Sequence, residues 1–229
     1  MKINLYHRWT INCALGELLG IGAAGSIAVA VNYYLGEPQS LMQKIFVLFT
    51  MLIAGAMEGT AIAVFQWKVL HHLFPKMKLY SWWKWTVAIA LLGWGLGMLP
   101  SLFFTQSSTA AVADTNEPSM WLIAIMAAAS GAVAGALFGL FQSFELKQHS
   151  SKWKWWIIAN TLAWSVAMLI IFIGASWPSA TTPVSIIISS AITSGCLAGL
   201  SLGIITGFFL FKKVLPNEKN ARLAEHAVI

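Results

Sequence analysis

Apolar residues along this chain come in long unbroken runs, without the alternation of a half-buried strand or the narrow stripe of a water-exposed helix. Six runs stand out, at approximately 9–34, 45–70, 82–104, 120–144, 153–175 and 184–211. A hydrocarbon layer about 30 Å thick is crossed by about 20 helical residues, so each run predicts one transmembrane helix. The connections are short and the residues after Leu215 are polar, which leaves no room for a water-soluble domain. The expectation is an all-α, integral membrane six-helix bundle forming one domain over 1–229.

The runs also repeat in pairs. The second member of each pair carries Gly55-x-x-x-Gly59 with Phe65-Gln66-Trp67, then Gly131-x-x-x-Gly135 with Phe141-Gln142-Ser143, then Gly195-x-x-x-Gly199 with Ile205-Thr206-Gly207, at one common offset. The first member opens on tryptophan, at Trp9, at Trp82-Trp83-Lys84-Trp85 and at Trp153-Lys154-Trp155-Trp156. This predicts three hairpin repeats, about 7–75, 80–149 and 152–216, followed by a tail at 216–229. Because each copy crosses twice, the copies run parallel about an axis near the membrane normal. Aligned on their opening tryptophans, they place Trp94 and Trp164 at equivalent depths, as core packing or the wall of a cavity.

Glycines spaced by four share one helix face, and lipid supplies no hydrophobic drive between helices, so close backbone approach must take its place. Gly55 and Gly59, the strip from Gly131 to Gly139 and the strip from Gly195 to Gly207 are read as a glycine zipper of this kind. Gly16 with Gly20, and Gly93 with Gly97, mark similar strips on the first and third helices, and Ala159, Ala163 and Ala167 replace them on the fifth. A phosphate-binding loop would need a strand before it and is not the reading.

Composition agrees: 58% of residues are hydrophobic and 10% charged, against roughly 25% charged in soluble domains. The net charge of +6 is distributed by loop. Of the fourteen Lys and Arg, only Lys44 falls on the side opposite the other thirteen, which cluster at Lys2 and Arg8, Lys68 to Lys84, Lys147 to Lys154, and Lys212 to Arg222. Short cytoplasmic loops carry such an excess, so both termini are expected in the cytoplasm. The charge then needs no nucleic acid, and the partner it implies is the lipid bilayer. Ala28-Val29-Ala30 imitates a signal-peptidase site, but Glu17 interrupts the apolar stretch and the run is long for a leader, so no cleavage is expected. Cys13 and Cys196 lie within helices and read as small packing residues. Most tryptophans, including Trp9, Trp67, Trp82, Trp83, Trp85, Trp153, Trp155 and Trp156, are expected as a belt at the inner interface, with Trp121 and Trp177 at the outer one.

Two carboxylates carry the functional signal, because an acid inside a span is expensive and faces protein or water. Glu17 lies in the first helix and Glu58 near the middle of the second, where the other copies have Ala134 and Ala198. No Lys or Arg matches their depth, so each must be protonated, hydrated or facing a cation, with Asn12, Thr60, Ser189, Ser190 and Ser194 as available hydrogen-bond partners. Gln66, Gln142 and Thr206 fall on the glycine face near the cytoplasmic end, where they either bond helix to helix or ring the mouth of a central path. These five, Glu58, Glu17, Gln66, Gln142 and Thr206, are the candidate ion, proton or solute site.

Weaker signals read as structural. Adjacent His71 and His72 point about 100° apart and make a poor metal pair. Asp114 and Glu117 belong to a solvated loop, Asn160 is a hydrogen-bonding group of the fifth helix, and Pro100 kinks or ends the third. A His-Glu-x-x-His helix, paired intramembrane aspartates and a Walker loop are all missing from the sequence, so neither an enzyme nor a cofactor or metal is expected.

Around Gly55 to Leu70 the chain resembles uncharacterised multi-pass bacterial membrane proteins with comparable Gln-Trp-x-Val-Leu repeats. The likeness covers the second helix and part of the fourth, where Ser143 and Glu145 depart from it, and only the glycines of the sixth. It implies a bacterial inner membrane and carries no activity. Two functions fit: a transporter or channel moving a proton, ion or small solute through Glu58 and Glu17, or a non-catalytic subunit or scaffold that docks on itself or on other membrane subunits.

Overall fold

The computed structural model describes residues 2–104, 119–177 and 181–215. Six helices account for nearly all of them: α1 Lys2–Leu35, α2 Leu41–Leu73, α3 Leu79–Leu99, α4 Met120–Leu146, α5 Lys154–Ser176 and α6 Val184–Phe209. All six are long and apolar enough to cross a membrane, and no strand occurs among the described residues. The chain is thus an all-helical, multi-pass membrane protein. The Asp114 and Glu117 loop and the tail at 216–229 lie outside the described residues.

Helix ends follow local chemistry. Gly36 at φ +63° takes the left-handed turn that stops α1, its N–H bonding the Asn32 carbonyl at 3.0 Å. Ser40 then opens α2 through a capping box: its hydroxyl accepts from the Gln43 N–H at 3.2 Å, and Gln43 Oε1 accepts from the Ser40 N–H at 3.0 Å. Ser119 caps α4 by accepting from the Leu122 N–H. At Pro100 α3 gives way to a π-helical turn, Pro100–Phe104, as a residue without a backbone N–H would require. A second such turn, Leu210–Val214, finishes α6. Main departures from the expected bounds are at α1, which starts seven residues before the predicted run, and α2, which starts four before it. Polar residues there extend a helix beyond its apolar stretch.

In space the helices form a ring in chain order, closed by α6 against α1, with the seam between α3 and α4 the thinnest. Glycine sets how closely they approach. A Cβ at Gly59 would lie 2.8 Å from that of Ala90 on α3; at Gly139, 2.6 Å from the Ile157 Cα on α5; at Gly203, 2.6 Å from the Thr10 Cα on α1. So the second helix of each pair presses its glycine strip on the first helix of the next pair. Within the first pair, Gly16 and Gly20 lie against Ile62 and Glu58 of α2. Gly22, Gly25, Gly93 and Gly97 have no such neighbour within 4 Å.

That contrast divides the molecule lengthwise. Buried residues crowd the half nearer the lysine-rich helix ends, here the basic end: roughly 5–20 of α1, 59–73 of α2, 82–90 of α3, 131–146 of α4, 156–167 of α5 and 198–215 of α6. Toward the far end the described residues of α3, α4 and α6 are more exposed; a small core around Ala24, Met51 and Leu102 joins α1, α2 and the first π turn, with Trp94 and Met98 of α3 against it, and α5 meets α6 at Gly174 and Ser190. The bundle is packed solid at one end and splayed at the other.

Candidate functional site

Three tryptophans from the supposed belt occupy the heart of the packed half. Trp9, Trp82 and Trp156 are each 0% exposed. Each indole donates to a polar side chain on the second helix of the preceding pair: Trp82 to Gln66 Oε1 at 3.2 Å, Trp156 to Gln142 Oε1 at 2.9 Å, and Trp9 to Thr206 Oγ1 at 3.0 Å. Trp156 also meets both Trp9 and Trp82 edge to face, at ring centroid distances of 5.8 and 6.0 Å. These three are therefore not interfacial. Counting residues gives depth, but whether an indole points to lipid or to the axis depends on helix rotation, and here an amide or hydroxyl inside supplies its hydrogen-bond acceptor. Trp121 and Trp155 are exposed, while Trp83 is half-buried.

The same contacts suggest a register other than the one read off the opening tryptophans. With Trp9, Trp82 and Trp156 equivalent, Trp164 aligns with Ala90 and Glu17, whereas Trp94 aligns with Met168. Gly55 accordingly abuts Trp94, and its counterpart Gly131 abuts Met168. In the register set by these three indoles, Trp94 and Trp164 fall at different positions.

Of the three polar candidates, Gln66 and Gln142 meet directly. Gln142 Nε2 donates to Gln66 Oε1 and to Thr86 Oγ1, both at 3.1 Å, while its Oε1 accepts from Trp156. Thr206 joins them through Trp9 rather than by touching either amide, its hydroxyl donating to the Leu202 carbonyl. Together with the indoles these side chains make a hydrogen-bonded layer across the packed half.

The two acids sit next to this layer on its far side. Glu58 reaches between α1 and α3: a Cβ on Gly20 would come 3.0 Å from its Cα, and the Trp94 indole donates to its Oε2 at 2.6 Å. It is part-buried. Glu17, a turn before Gly20 and 1% exposed, lies against Gly199 of α6 and has an Oε1 with no hydrogen-bond partner. The two carboxyl groups are within electrostatic range of each other. Asn12, Thr60, Ser189 and Ser190 turn elsewhere, to the carbonyls of Arg8, Ala56, Ser185 and Gly174, and Ser194 packs beside Gly174. Trp94, read as packing or cavity wall, is the partner of Glu58.

Between the acids and the layer is a small interior cavity. Cys13, Glu17, Gln66, Asn160 and Thr206 supply its polar lining, and Ile62, Phe138, Trp164 and Leu202 the rest. A water-sized sphere can place its centre over about 10 Å³ there, enough for one water. Asn160 turns its Nδ2 back to the Trp156 carbonyl at 2.9 Å, which orients the amide oxygen away from that bond.

Sequence reasoning passed over one buried acid. Glu145, 5% exposed at the basic end of α4, has its Oε1 3.1 Å from His149 Nε2, within hydrogen-bonding distance. The signal was an acid four residues before a histidine at a helix end. His71 stacks on Trp67 at 4.4 Å.

Compared with known proteins, the chain matches no family model, no curated protein and no solved structure, so nothing there supports the resemblance drawn from Gly55 to Leu70.

Proposed function

We propose that this chain is a membrane carrier for a proton or another small cation, with Glu58 and Glu17 as the binding groups. The observation that carries this reading is position: two acids without a basic partner lie where the packed half meets the splayed half. Glu58 is part-buried, and the hydrogen-bonded Trp-Gln-Thr layer lies between the acids and the basic end. Such an arrangement suits a carrier caught open to one side, whereas an open channel would need a gap in that layer. Lysine placement orients it with the basic end in the cytoplasm, in a bacterial inner membrane, and three copies of one hairpin account for the recurring indole contacts. No enzymatic role is proposed. Reconstituted in liposomes, the wild-type chain is expected to carry proton or cation flux that Glu58→Gln and Glu17→Gln abolish; wild-type liposomes no leakier than empty ones would overturn the reading.

A second reading has its own support. The thin α3–α4 seam leaves Gly93 and Gly97 without a neighbour, although their counterparts Gly20 and Ala24 in the first pair are packed on α2. A helix of a partner subunit, or of a second copy, fits there if the chain is a scaffold. Purification as a stable monomer without partners argues against that role.

A further inference from the structure

The interior cavity bears on which species the Glu17 site takes, an inference that rests on reading the paired acids as a proton or cation site. This cavity has no room for an organic solute, since about 10 Å³ for a sphere's centre is the room of one water. The choice between a metal cation and a proton turns on counting oxygens. Hard cations such as magnesium and calcium take six or more oxygen ligands, and a cavity that strips hydration must replace them.

Few are to be had. Gln66 Oε1 already accepts from Trp82 and from Gln142. Thr206 Oγ1 accepts from Trp9 and donates to the Leu202 carbonyl. That leaves the Glu17 carboxyl, whose Oε1 is orphaned, and the Asn160 amide oxygen, against a wall of Ile62, Phe138 and Leu202. Two groups cannot stand in for a hydration shell. They do suit one water, which wants two to four polar partners.

Charge leads the same way. Facing Glu17 are Cys13 on its own helix, Glu58 on α2, Phe138 on α4, Asn160 and Trp164 on α5, and Gly199, Leu202 and Thr206 on α6. None is a cation, so a bare carboxylate there would be a buried charge without compensation. We propose that the cavity is a proton site: the Glu17 carboxyl group bearing its proton, with one water between it and Asn160, and closed to metal ions.

Infrared spectroscopy of the purified full-length protein in lipid nanodiscs tests this. A carboxylic acid C=O band is expected that moves in D₂O, disappears in Glu17→Gln and persists in Glu58→Gln. Asn160→Leu, which removes the water's other partner while leaving Glu17 intact, is expected to shift that band to higher frequency. Exchanging K⁺ for Na⁺, Li⁺ or Mg²⁺ at fixed ionic strength is expected to change neither the band nor the thermal midpoint. A cation-specific shift lost in Glu17→Gln, or a spectrum that Glu17→Gln and Asn160→Leu both leave unaltered, would overturn the proposal. Flux through the same purified protein reconstituted in liposomes separates the two ideas: the band without flux refutes the carrier and keeps the site, and flux without the band refutes the site alone.

Discussion

Replacing Gln142 with methionine keeps the length and much of the volume of the side chain while deleting every hydrogen bond it makes. Gln142 is fully buried, donates to Gln66 and Thr86, and accepts from Trp156. Interhelical hydrogen bonds in membrane proteins contribute about 0.6 kcal/mol on average, so three of them set a lower bound of about 2 kcal/mol. Gln66 and Thr86 keep other partners, namely the Trp82 indole and the Trp82 carbonyl. Trp156 Nε1 does not, and a buried donor left unpaired costs a further ~1–3 kcal/mol. Gln142→Met should therefore destabilise the bundle by about 3–5 kcal/mol, against about 2–4 kcal/mol for Thr206→Val, which loses one bond across helices and leaves the buried Trp9 indole N–H without its acceptor. Unfolding in mixed micelles followed by circular dichroism gives both values, and a double-mutant cycle with Trp156→Phe isolates the indole–amide pair. Gln142→Met within about 0.5 kcal/mol of wild type, with no coupling to Trp156, would refute the idea that this layer holds the ring together.

Three further outcomes follow from the same geometry. Gly203→Ala forces α6 away from the Thr10 backbone and should cost ~1–3 kcal/mol, whereas Gly93→Ala, with open space before it, should be neutral or stabilising by up to about 1 kcal/mol; equal effects in a thermal-shift assay would contradict the packing described. Trp156→Phe should lower the unfolding midpoint markedly and Trp155→Phe hardly at all, because only the first indole is buried with an acceptor. Trp94→Phe frees Glu58 Oε2 and should speed its modification by a bilayer-soluble carbodiimide, read by mass spectrometry; an unchanged rate would mean that the indole does not hold the carboxyl group.

Much of this architecture was legible in the chain because hydrophobic length and lysine placement are one-dimensional signals. The six spans, the end that gathers the basic residues and the two unusual acids needed no coordinates. What failed was rotation. Trp156 and Trp155 are neighbours in sequence at the same depth, yet one is wholly inside and the other on the rim, and composition cannot say which. The same ambiguity of one helical turn displaced Trp164 against Trp94, and hid that an indole, rather than Thr60 or a serine of α6, serves Glu58. Glu145 figured only as a departure from the Gln-Trp-x-Val-Leu pattern, because both it and its histidine lie beyond the apolar run. The splaying of α3 from α4 was beyond reach too, since Gly93 and Gly97 carry the same spacing as glycines that do pack.

Access to the acids from one end only is the claim on which the functional account stands, and the reactivity of a cysteine placed at 58 measures it. In a Cys13→Ala, Cys196→Ala background, Glu58→Cys should react with a small membrane-impermeant thiol reagent added on the side of the far end, and stay protected from reagent added on the lysine-rich side. Modification from the lysine-rich side would show that the layer of Trp9, Trp82, Trp156 and their polar partners does not seal the bundle, and would contradict the account.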